Sequence, residues 1–430
     1  MKKLTILLLI AILLCGCAAA PAAPAEPVNL MEEVPERIVC LAEVPDCSVS
    51  AADNAIVLFQ NTHVDGVNTL VSPLSALAAL GMTANGAKGQ TLTQTENALG
   101  MTSQDINGYV YSLMEGQGEA LKLANSIWLL DDPSLKVEQP FLQTNGDFYK
   151  ADVFKAPMDG STLDAINSWV SGKTDGMIPD LLDQIPADAV MYLINALAFE
   201  AEWETPYEPY QVYEETFTTE DGGGRLVEMM SSKESHYLED DLATGFIKYY
   251  KDRGYAFVAL LPKEGVTVSE YAASLAGEHL QELLENPTEI LVYAAMPKFE
   301  VEYDVDLAET LKAMGMTDAF DAELADFTGL GRSSNGNLFI SRILHKTRIQ
   351  VAEEGTKAAA ATSVEVMCGS AFIPDFREVT LNRPFLYMII DCQRNYPFFI
   401  GAMMDPGGEV CGAPLAPTEE IETLVSDPTE

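Results

Sequence analysis

Apolar residues recur along this chain with two periods, and the dominant period changes between its two halves. In the first half, residues 51–59 and 166–170 have helical spacing. Ser72-Pro73 is a typical helix start, because serine caps the first turn and proline fits within it. Apolar runs at 123–130 and 191–198 indicate buried strands, and the second run is apolar enough to be covered on both faces.

Strand patterns dominate the second half of the chain. They lie at residues 255–261, 289–295, 298–303, 386–390 and 398–403. Helices concentrated early and strands concentrated late predict an α+β fold and not a βαβ repeat. With 430 residues, 48% of them hydrophobic, the chain can bury a large core in one domain or two.

One segment fits neither pattern. A strand-like alternation at residues 348–352 is followed by acidic and small residues. These are Glu353, Glu354, Gly355, Thr356, Lys357, Ala358, Ala359, Ala360, Ala361 and Thr362. Taken alone, the alanine run favours a short helix, because alanine is the strongest helix former. Small side chains also suit a segment that is exposed in one state and enters a packed sheet in another.

Charge and motif content exclude several classes of function. The formal net charge of −40 disfavours binding to nucleic acid or anionic membrane surfaces and would attract basic partners, although an acidic surface without any particular partner is the simpler interpretation. The four histidines are scattered, so we expect no metal site and no cofactor. Neither Gly-x-Ser-x-Gly nor His-Glu-x-x-His occurs, so nothing positive indicates an enzyme.

The N-terminus predicts export. Lys2 and Lys3 precede an apolar stretch at 4–14 that is too short to span a bilayer well. The following Leu14-Cys15-Gly16-Cys17 is typical of a lipoprotein signal peptide (residues 1–17), after which Cys17 would carry the lipid. An ordinary signal peptide cleaved near residues 18–20 is the alternative. We therefore expect a protein that is anchored on the extracellular face of a bacterial membrane or secreted, with lipid as its only membrane contact.

Segments at both ends of the exported chain are predicted to lie outside the folded core. Residues 18–50 are rich in proline, alanine and acidic residues and predict a tether. Residues 407–430 predict an acidic, disordered tail. Five cysteines remain after the leader, namely Cys40, Cys47, Cys368, Cys392 and Cys411. Because five is odd, at least one is free or pairs between chains, and Cys40 is close enough in sequence to bridge to Cys47.

Short fragments spread over residues 50–406 match one family pattern in order and spacing. They are Asn68-Thr69-Leu70-Val71-Ser72-Pro73-Leu74-Ser75, Gly86-Ala87-Lys88-Gly89-Gln90-Thr91, Asn195-Ala196 with Phe199 and Trp203, Met296-Pro297-Lys298-Phe299, Leu381-Asn382-Arg383-Pro384-Phe385 and Pro397-Phe398-Phe399-Ile400-Gly401. In this combination the chain resembles the serpin family. The resemblance implies one domain over residues 51–406, with large mixed sheets and about eight or nine helices.

The resemblance also implies how the alanine-rich segment acts. Residues 353–362 would form the hinge of an exposed reactive loop at about 353–378, which a protease cleaves and which then inserts into the central sheet. Ser72, Ser75, Asn195 and His345 would form a polar cluster where the sheet opens, with Trp203 at the point of entry. Non-inhibitory relatives often carry bulky, charged or proline residues in the hinge. This hinge has no bulky residue and no proline; Lys357 replaces the acid that family members usually carry, on the face where a charge is expected to be tolerated.

Family spacing places the residue before the scissile bond at Gly369, with Met367, Cys368 and Ser370 as alternatives. No Lys or Arg lies between Lys357 and Arg377, which disfavours trypsin-like targets. Elastase-like serine proteases are favoured and subtilisin-like enzymes come second; Phe372 keeps a chymotrypsin-like target open, and Cys368 a cysteine protease. We expect a monomer that inhibits by suicide-substrate trapping, with a non-inhibitory serpin-fold binding protein as the alternative.

Overall fold

The fold is taken from a computed structural model, which describes residues 26–115, 120–186, 189–356 and 375–411. Nine α-helices lie within these ranges: α1 Ser48–Thr62, α2 Pro73–Ala84, α3 Gly89–Leu99, α4 Ser103–Met114, α5 Gln139–Tyr149, α6 Gly160–Lys173, α7 Val268–Ser274, α8 Gly277–Glu285 and α9 Ala308–Ala313. The predicted number of eight or nine helices is thus confirmed for the described part of the chain.

The strands are more numerous than the helices, and several are very short. They are β1 Val28–Asn29, β2 Thr69–Val71, β3 Leu121–Leu130, β4 Lys136–Val137, β5 Asp152–Ala156, β6 Met191–Phe199, β7 Ala201–Glu202, β8 Val212–Thr218, β9 Gly224–Glu239, β10 Ala243–Tyr249, β11 Tyr255–Pro262, β12 Thr288–Pro297, β13 Phe299–Asp306, β14 Gly331–Arg332, β15 Arg342–Val351, β16 Gly355–Thr356, β17 Phe376–Thr380, β18 Phe385–Asp391, β19 Tyr396–Met403 and β20 Glu409–Cys411. The predicted α+β class is therefore confirmed.

Two large mixed sheets organise these strands. The first sheet has the order β1-β5-β3-β6-β15-β16-β7, and β13 also pairs with β15. The second sheet has the order β17-β12-β9-β10-β11-β18-β19-β2, with β8 and β20 attached to β9. A third, two-stranded sheet joins β4 to β14.

Helix α2 lies at the centre of the molecule. Ser72 caps it by accepting a hydrogen bond from the Ser75 backbone, Pro73 occupies its first turn, and all twelve of its residues are buried. Strand β6 is likewise buried over its whole length. The helix start at Ser72-Pro73 and the strand at residues 191–198 are therefore confirmed.

The tether prediction for residues 18–50 is wrong for the part that the structure describes. Val28–Asn29 pair with β5 at the edge of the first sheet, and Leu30, Met31 and Val34 pack against the core. The backbone of β1 thereby supplies partners to the outer backbone groups of β5, which would otherwise form an open edge. Helix α1 already begins at Ser48.

The tail prediction for residues 407–430 also fails at its start. Glu409–Cys411 form β20, which pairs antiparallel with β9. Cys40, Cys47 and Cys392 are free thiols, so the bridge considered between Cys40 and Cys47 is not formed. Among the described residues, no helix is both long and apolar enough to cross a membrane.

Candidate functional site: the loop hinge and the polar cluster beneath it

The first two residues that follow the acidic pair of the hinge are already part of a sheet. After β15 the chain reverses at residues 352–354 and returns as Gly355–Thr356, which pairs antiparallel with both β15 and β7. The Thr356 side chain is fully buried, and its Oγ1 lies 2.7 Å from the hydroxyl of Tyr250. Gly355 and Thr356 are therefore seated between two strands at one end of the first sheet.

Next to Gly355 and Thr356, the first sheet has no gap between β6 and β15. Strands β6 and β15 pair in parallel over seven consecutive positions, from Arg342 opposite Tyr192 to Arg348 opposite Ala198. A further inserted residue would have to separate these two strands, because their facing backbone groups already bond to each other. The seated hinge thus lies at the end of a continuous strand pair.

Gly355 is required at its position for steric reasons. Its φ is 157°, and a Cβ added there would collide with the carbonyl oxygen of Ala201 on β7. A residue with a Cβ could therefore not pair this closely with β7. The glycine lets the chain turn back into the sheet within three residues of β15.

Residues after β7 hold the reversal by three hydrogen bonds. The backbone N–H of Trp203 donates to the Glu354 carbonyl at 2.9 Å, and that of Tyr207 donates to the Glu353 carbonyl at 2.8 Å. The indole Nε1 of Trp203 donates to the Ala352 carbonyl at 2.9 Å. We call these three hydrogen bonds the hinge clamp. The clamp is anchored in the core, because Trp203 is buried and stacks on Tyr250 with ring centroids 4.3 Å apart.

An ion-pair network adds to this clamp. The ammonium of Lys298 contacts the carboxylates of Glu353 and Glu228. Partial burial alone would lower the pKa of Lys298, but its hydrogen bonds to the two carboxylates hold that pKa above the usual value. Burial would likewise raise the pKa of Glu353, and its hydrogen bond to Lys298 reverses that effect.

Lys248, which the sequence analysis did not single out, supports the clamp from below. Only 3% of its side chain is exposed, and its ammonium pairs with Glu234 at 3.0 Å. It also lies 5.3 Å from the ring centroid of Trp203 and 4.4 Å from that of Tyr207. Burial lowers the pKa of Lys248, while the Glu234 carboxylate opposes that effect. A lone lysine in the apolar run Phe246-Ile247-Lys248-Tyr249-Tyr250 was the available signal.

The four predicted cluster residues lie together in the buried interior. The Ser72 backbone N–H donates to Nε2 of His345 at 2.9 Å. Ser75 Oγ donates to Asn195 Oδ1, and Asn195 faces His345 across the β6–β15 pair. Asn195 also donates to Asn125 on β3, a member that sequence reasoning missed. The cluster thus joins helix α2 to three strands of the first sheet.

His345 is held as a neutral imidazole. Complete burial lowers its pKa from the usual 6.5 to about 4. The hydrogen bond from Ser72 requires a lone pair on Nε2, so a proton there would place two donors against each other. Trp203 does not join this cluster; it lies at the hinge.

The remaining predicted site residues fall outside the described ranges. They are Cys17, Lys357, Ala358, Ala359, Ala360, Ala361, Thr362, Met367, Cys368, Gly369 and Ser370. The chain resumes as β17, which pairs in parallel with β12 from Phe376 opposite Leu291. Among the described residues, no group of three or more His, Cys, Asp or Glu side chains could hold a metal ion.

Comparison with known proteins identifies the family. The model for serpins, serine protease inhibitors, matches residues 50–406. An uncharacterised serpin-like protein of Thermococcus kodakarensis is 30% identical over 362 residues, which cover 81% of this chain and 83% of the relative. Leukocyte elastase inhibitor A of Mus musculus is 30% identical over 377 residues, covering 82% and 97%. This chain belongs to the serpin family.

Two solved structures of one thermophilic serpin, tengpin, are also similar, both at 46% identity. The native-state structure has a TM-score of 0.84 and covers 89% of this chain and 100% of its own. The latent-state structure has a TM-score of 0.75 and covers 86% and 100%. The fold described here is therefore nearer to the native-state structure.

We expect stability to fall with acidification through His345. Its pKa is about 4 in the folded chain and about 6.5 when unfolded, so the unfolded chain takes up the proton first as the pH falls. The loss between pH 7 and pH 5 should be about 2 kcal/mol. Urea unfolding midpoints at the two pH values measure it. His345→Gln should flatten this dependence; an equal pH dependence in the wild-type chain and in this variant would contradict the assignment.

We also expect the Lys248–Glu234 pair to be strongly coupled. Lys248→Met leaves Glu234 nearly buried without its cation and should cost about 3 kcal/mol of stability. The double variant Lys248→Met with Glu234→Leu should recover most of that loss, because no unpaired charge remains. Thermal unfolding of Lys248→Met, of Glu234→Leu and of the double variant measures the coupling. Additive losses would show that the two residues do not stabilise each other.

Proposed function

We propose that this chain inhibits serine proteases as a suicide substrate. The protease serine Oγ attacks the carbonyl carbon of a bond in the reactive loop, an acyl ester forms, and the peptide nitrogen leaves with a proton as a new N-terminus. The loop upstream of the cut then enters the first sheet between β6 and β15 and displaces the attached enzyme. Hydrolysis of the ester is prevented because the displaced enzyme's active site is distorted.

The observation that carries this proposal is the position of Gly355 and Thr356 at the end of the β6–β15 pair, which has no gap between its strands. Gly355 and Thr356 already pair with β7 and β15, and a strand that continued in the same direction would have to run between β6 and β15. Insertion would add a strand with hydrogen bonds on both sides, so the uninserted state would persist kinetically and not as the most stable state.

The residue sizes in the hinge support insertion. Side chains alternate between the two faces of a sheet, so Thr356, Ala358, Ala360 and Thr362 would share a face. Thr356 is fully buried against Tyr250, and every later residue of that set is as small or smaller. Lys357 has the opposite parity, where a charge would point away from this face.

For the target we propose an elastase-like protease, with subtilisin-like enzymes second. The residues at 367–370 are small or moderately apolar, and a trypsin-like pocket would find no cation between Lys357 and Arg377. The relative named leukocyte elastase inhibitor A agrees with this choice. We further propose export with a lipid on Cys17, which mass spectrometry of the N-terminal peptide of the membrane-bound protein would test.

Thr356→Arg tests the trapping mechanism. A guanidinium cannot enter the buried site of Thr356 without a large desolvation cost, so insertion should stall and the acyl enzyme should hydrolyse. With pancreatic elastase or subtilisin, we expect the wild-type chain to form a denaturant-resistant covalent complex and this variant to form at least about tenfold less while still being cleaved. Lys357→Ala, on the opposite face, is the matched control and should behave as wild type.

Heat stability after cleavage separates the alternatives. Cleaved wild-type chain should show a large rise in its unfolding temperature, because the loop has become a strand. Cleavage without a covalent complex and without this rise would contradict the proposal and favour the non-inhibitory serpin-fold binding protein.

A further inference from the structure

Basic side chains are concentrated at one end of the β10–β11 hairpin in the second sheet. Strand β10 ends, and the turn before β11 begins, within the stretch Lys248-Tyr249-Tyr250-Lys251-Asp252-Arg253. Three of the chain's 25 basic residues thus fall within six of its 430 positions. We call residues 248–253 the basic hairpin end. This density in an acidic chain indicates that the three cations share a task.

Two of these cations bind the side chains on either side of Trp203. The ammonium of Lys251 lies 3.1 Å from a carboxylate oxygen of Glu202. The guanidinium of Arg253 donates two hydrogen bonds to the carboxylate of Glu204, at 2.7 and 2.9 Å. A single exposed ion pair contributes little to stability, but a two-point arginine–carboxylate contact fixes the orientation of both groups. The basic hairpin end therefore fixes the position of Glu204.

The third cation, Lys248, contacts the same part of the chain from inside the molecule. Its buried ammonium donates a hydrogen bond to the Thr205 carbonyl at 3.2 Å, in addition to its ion pair with Glu234. The same ammonium lies over the rings of Trp203 and Tyr207. Such contacts are stronger for a buried ammonium than for an exposed one, because water competes less for the charge. Lys248 thus holds one carbonyl and two rings in place.

The segment that the three cations hold also holds the hinge. Residues 202–207, which we call the bridging segment, begin with Glu202, whose backbone pairs with Gly355. The hinge clamp uses Trp203 and Tyr207 of the same segment as its donors. The bridging segment therefore connects the basic hairpin end of the second sheet to the hinge in the first sheet.

The backbone of the basic hairpin end is strained. Asp252 and Arg253 have φ values of 67° and 53°, in the left-handed region that residues with a side chain rarely adopt. Such strain costs free energy and persists where surrounding contacts hold it. Here those contacts are the hydrogen bonds from Arg253 to Glu204 and the position of the guanidinium 4.8 Å from the ring centroid of Tyr249. Glycine would remove the strain but also the guanidinium that binds the bridging segment.

We propose that Lys248, Lys251 and Arg253 are positioning residues that keep the hinge paired with β7. They hold the bridging segment on the second sheet, so the place between β7 and β15 stays open for Gly355 and Thr356. This inference rests on the inhibitory function proposed above. A hinge that is already paired starts insertion without delay, and insertion then outruns hydrolysis of the acyl ester by water.

The first test separates positioning from stability. Lys248→Met with Glu234→Leu leaves no unpaired charge, so this apolar double variant should keep most of the wild-type unfolding temperature. It lacks the ammonium that holds Thr205 and the two rings. Amide hydrogen exchange of Trp203 and Tyr207 in the uncleaved chain should become about tenfold faster, because both amides donate to the hinge. If Lys248 only stabilised the fold, both exchange rates would stay at their wild-type values.

Arg253→Ala has a matched control in Lys312→Ala. Each of the two cations pairs with a glutamate and lies over an aromatic ring. Lys312 is in α9, which follows β13 at the end of the first sheet opposite to the hinge. Arg253→Ala should raise the exchange rates of the Trp203 and Tyr207 amides about threefold, whereas Lys312→Ala should match wild type.

A second measurement connects positioning with trapping. With pancreatic elastase or subtilisin, the apolar double variant should consume about tenfold more chain per covalent complex than wild type. Arg253→Ala should consume about threefold more, and Lys312→Ala the same amount as wild type. The rate of loop cleavage should not change, because none of these substitutions alters residues 357–374.

Three outcomes decide the inference. Exchange rates within about twofold of wild type, in both the apolar double variant and Arg253→Ala, would overturn it. Faster exchange with an unchanged ratio of complex to cleaved chain would also overturn it, because the hinge pairing would then not matter for trapping. If the wild-type chain forms no complex at all, the proposed function is wrong, and the exchange rates still decide whether the three cations position the hinge.

Discussion

The parallel pairing of β6 with β15 is the interaction on which the rest of the site depends. Seven consecutive positions are paired, and the hinge residues Gly355 and Thr356 sit at the end of this pair without entering it. The reversal after β15 is held by hydrogen bonds from Trp203 and Tyr207, and the ammonium of Lys248 lies over the rings of both residues. The strand pair is therefore closed at the same place where the next strand would have to begin.

Polar contacts make this closed pair separable. Asn195 and His345 face each other across it and bond to helix α2 through Ser75 and Ser72. Purely apolar strands would expose unpaired backbone groups on parting, whereas hydroxyl, amide and imidazole groups can exchange partners. The cost of neutral His345 is sensitivity to acid, because protonation removes the acceptor that Ser72 uses.

Much of this arrangement could be predicted from the sequence, and the missing parts share a physical reason. Periodicity identified the strand at 191–198 and the helix after Ser72, and family resemblance brought Ser72, Ser75, Asn195 and His345 together. Neither method found Asn125 or the pairing of Val28 with Lys155, because periodicity describes only the local chain and these residues lie outside the matched motifs. Lys248 stands out as a lone lysine in an apolar run, but that signal does not identify Glu234 as its partner. The tether prediction failed because the composition of residues 18–50 does not reveal that β5 offers an edge with which Val28–Asn29 can pair.

Locking β6 to β15 tests the central claim most directly. Ala198 and Arg348 are paired residues just beneath the hinge, and Ala198→Cys with Arg348→Cys would allow a disulfide between them. The oxidised protein should still be cleaved by elastase or subtilisin but form no covalent complex, and reduction should restore complex formation. Equal amounts of complex from the oxidised and reduced protein would contradict the account, because the loop would then not need to pass between these two strands.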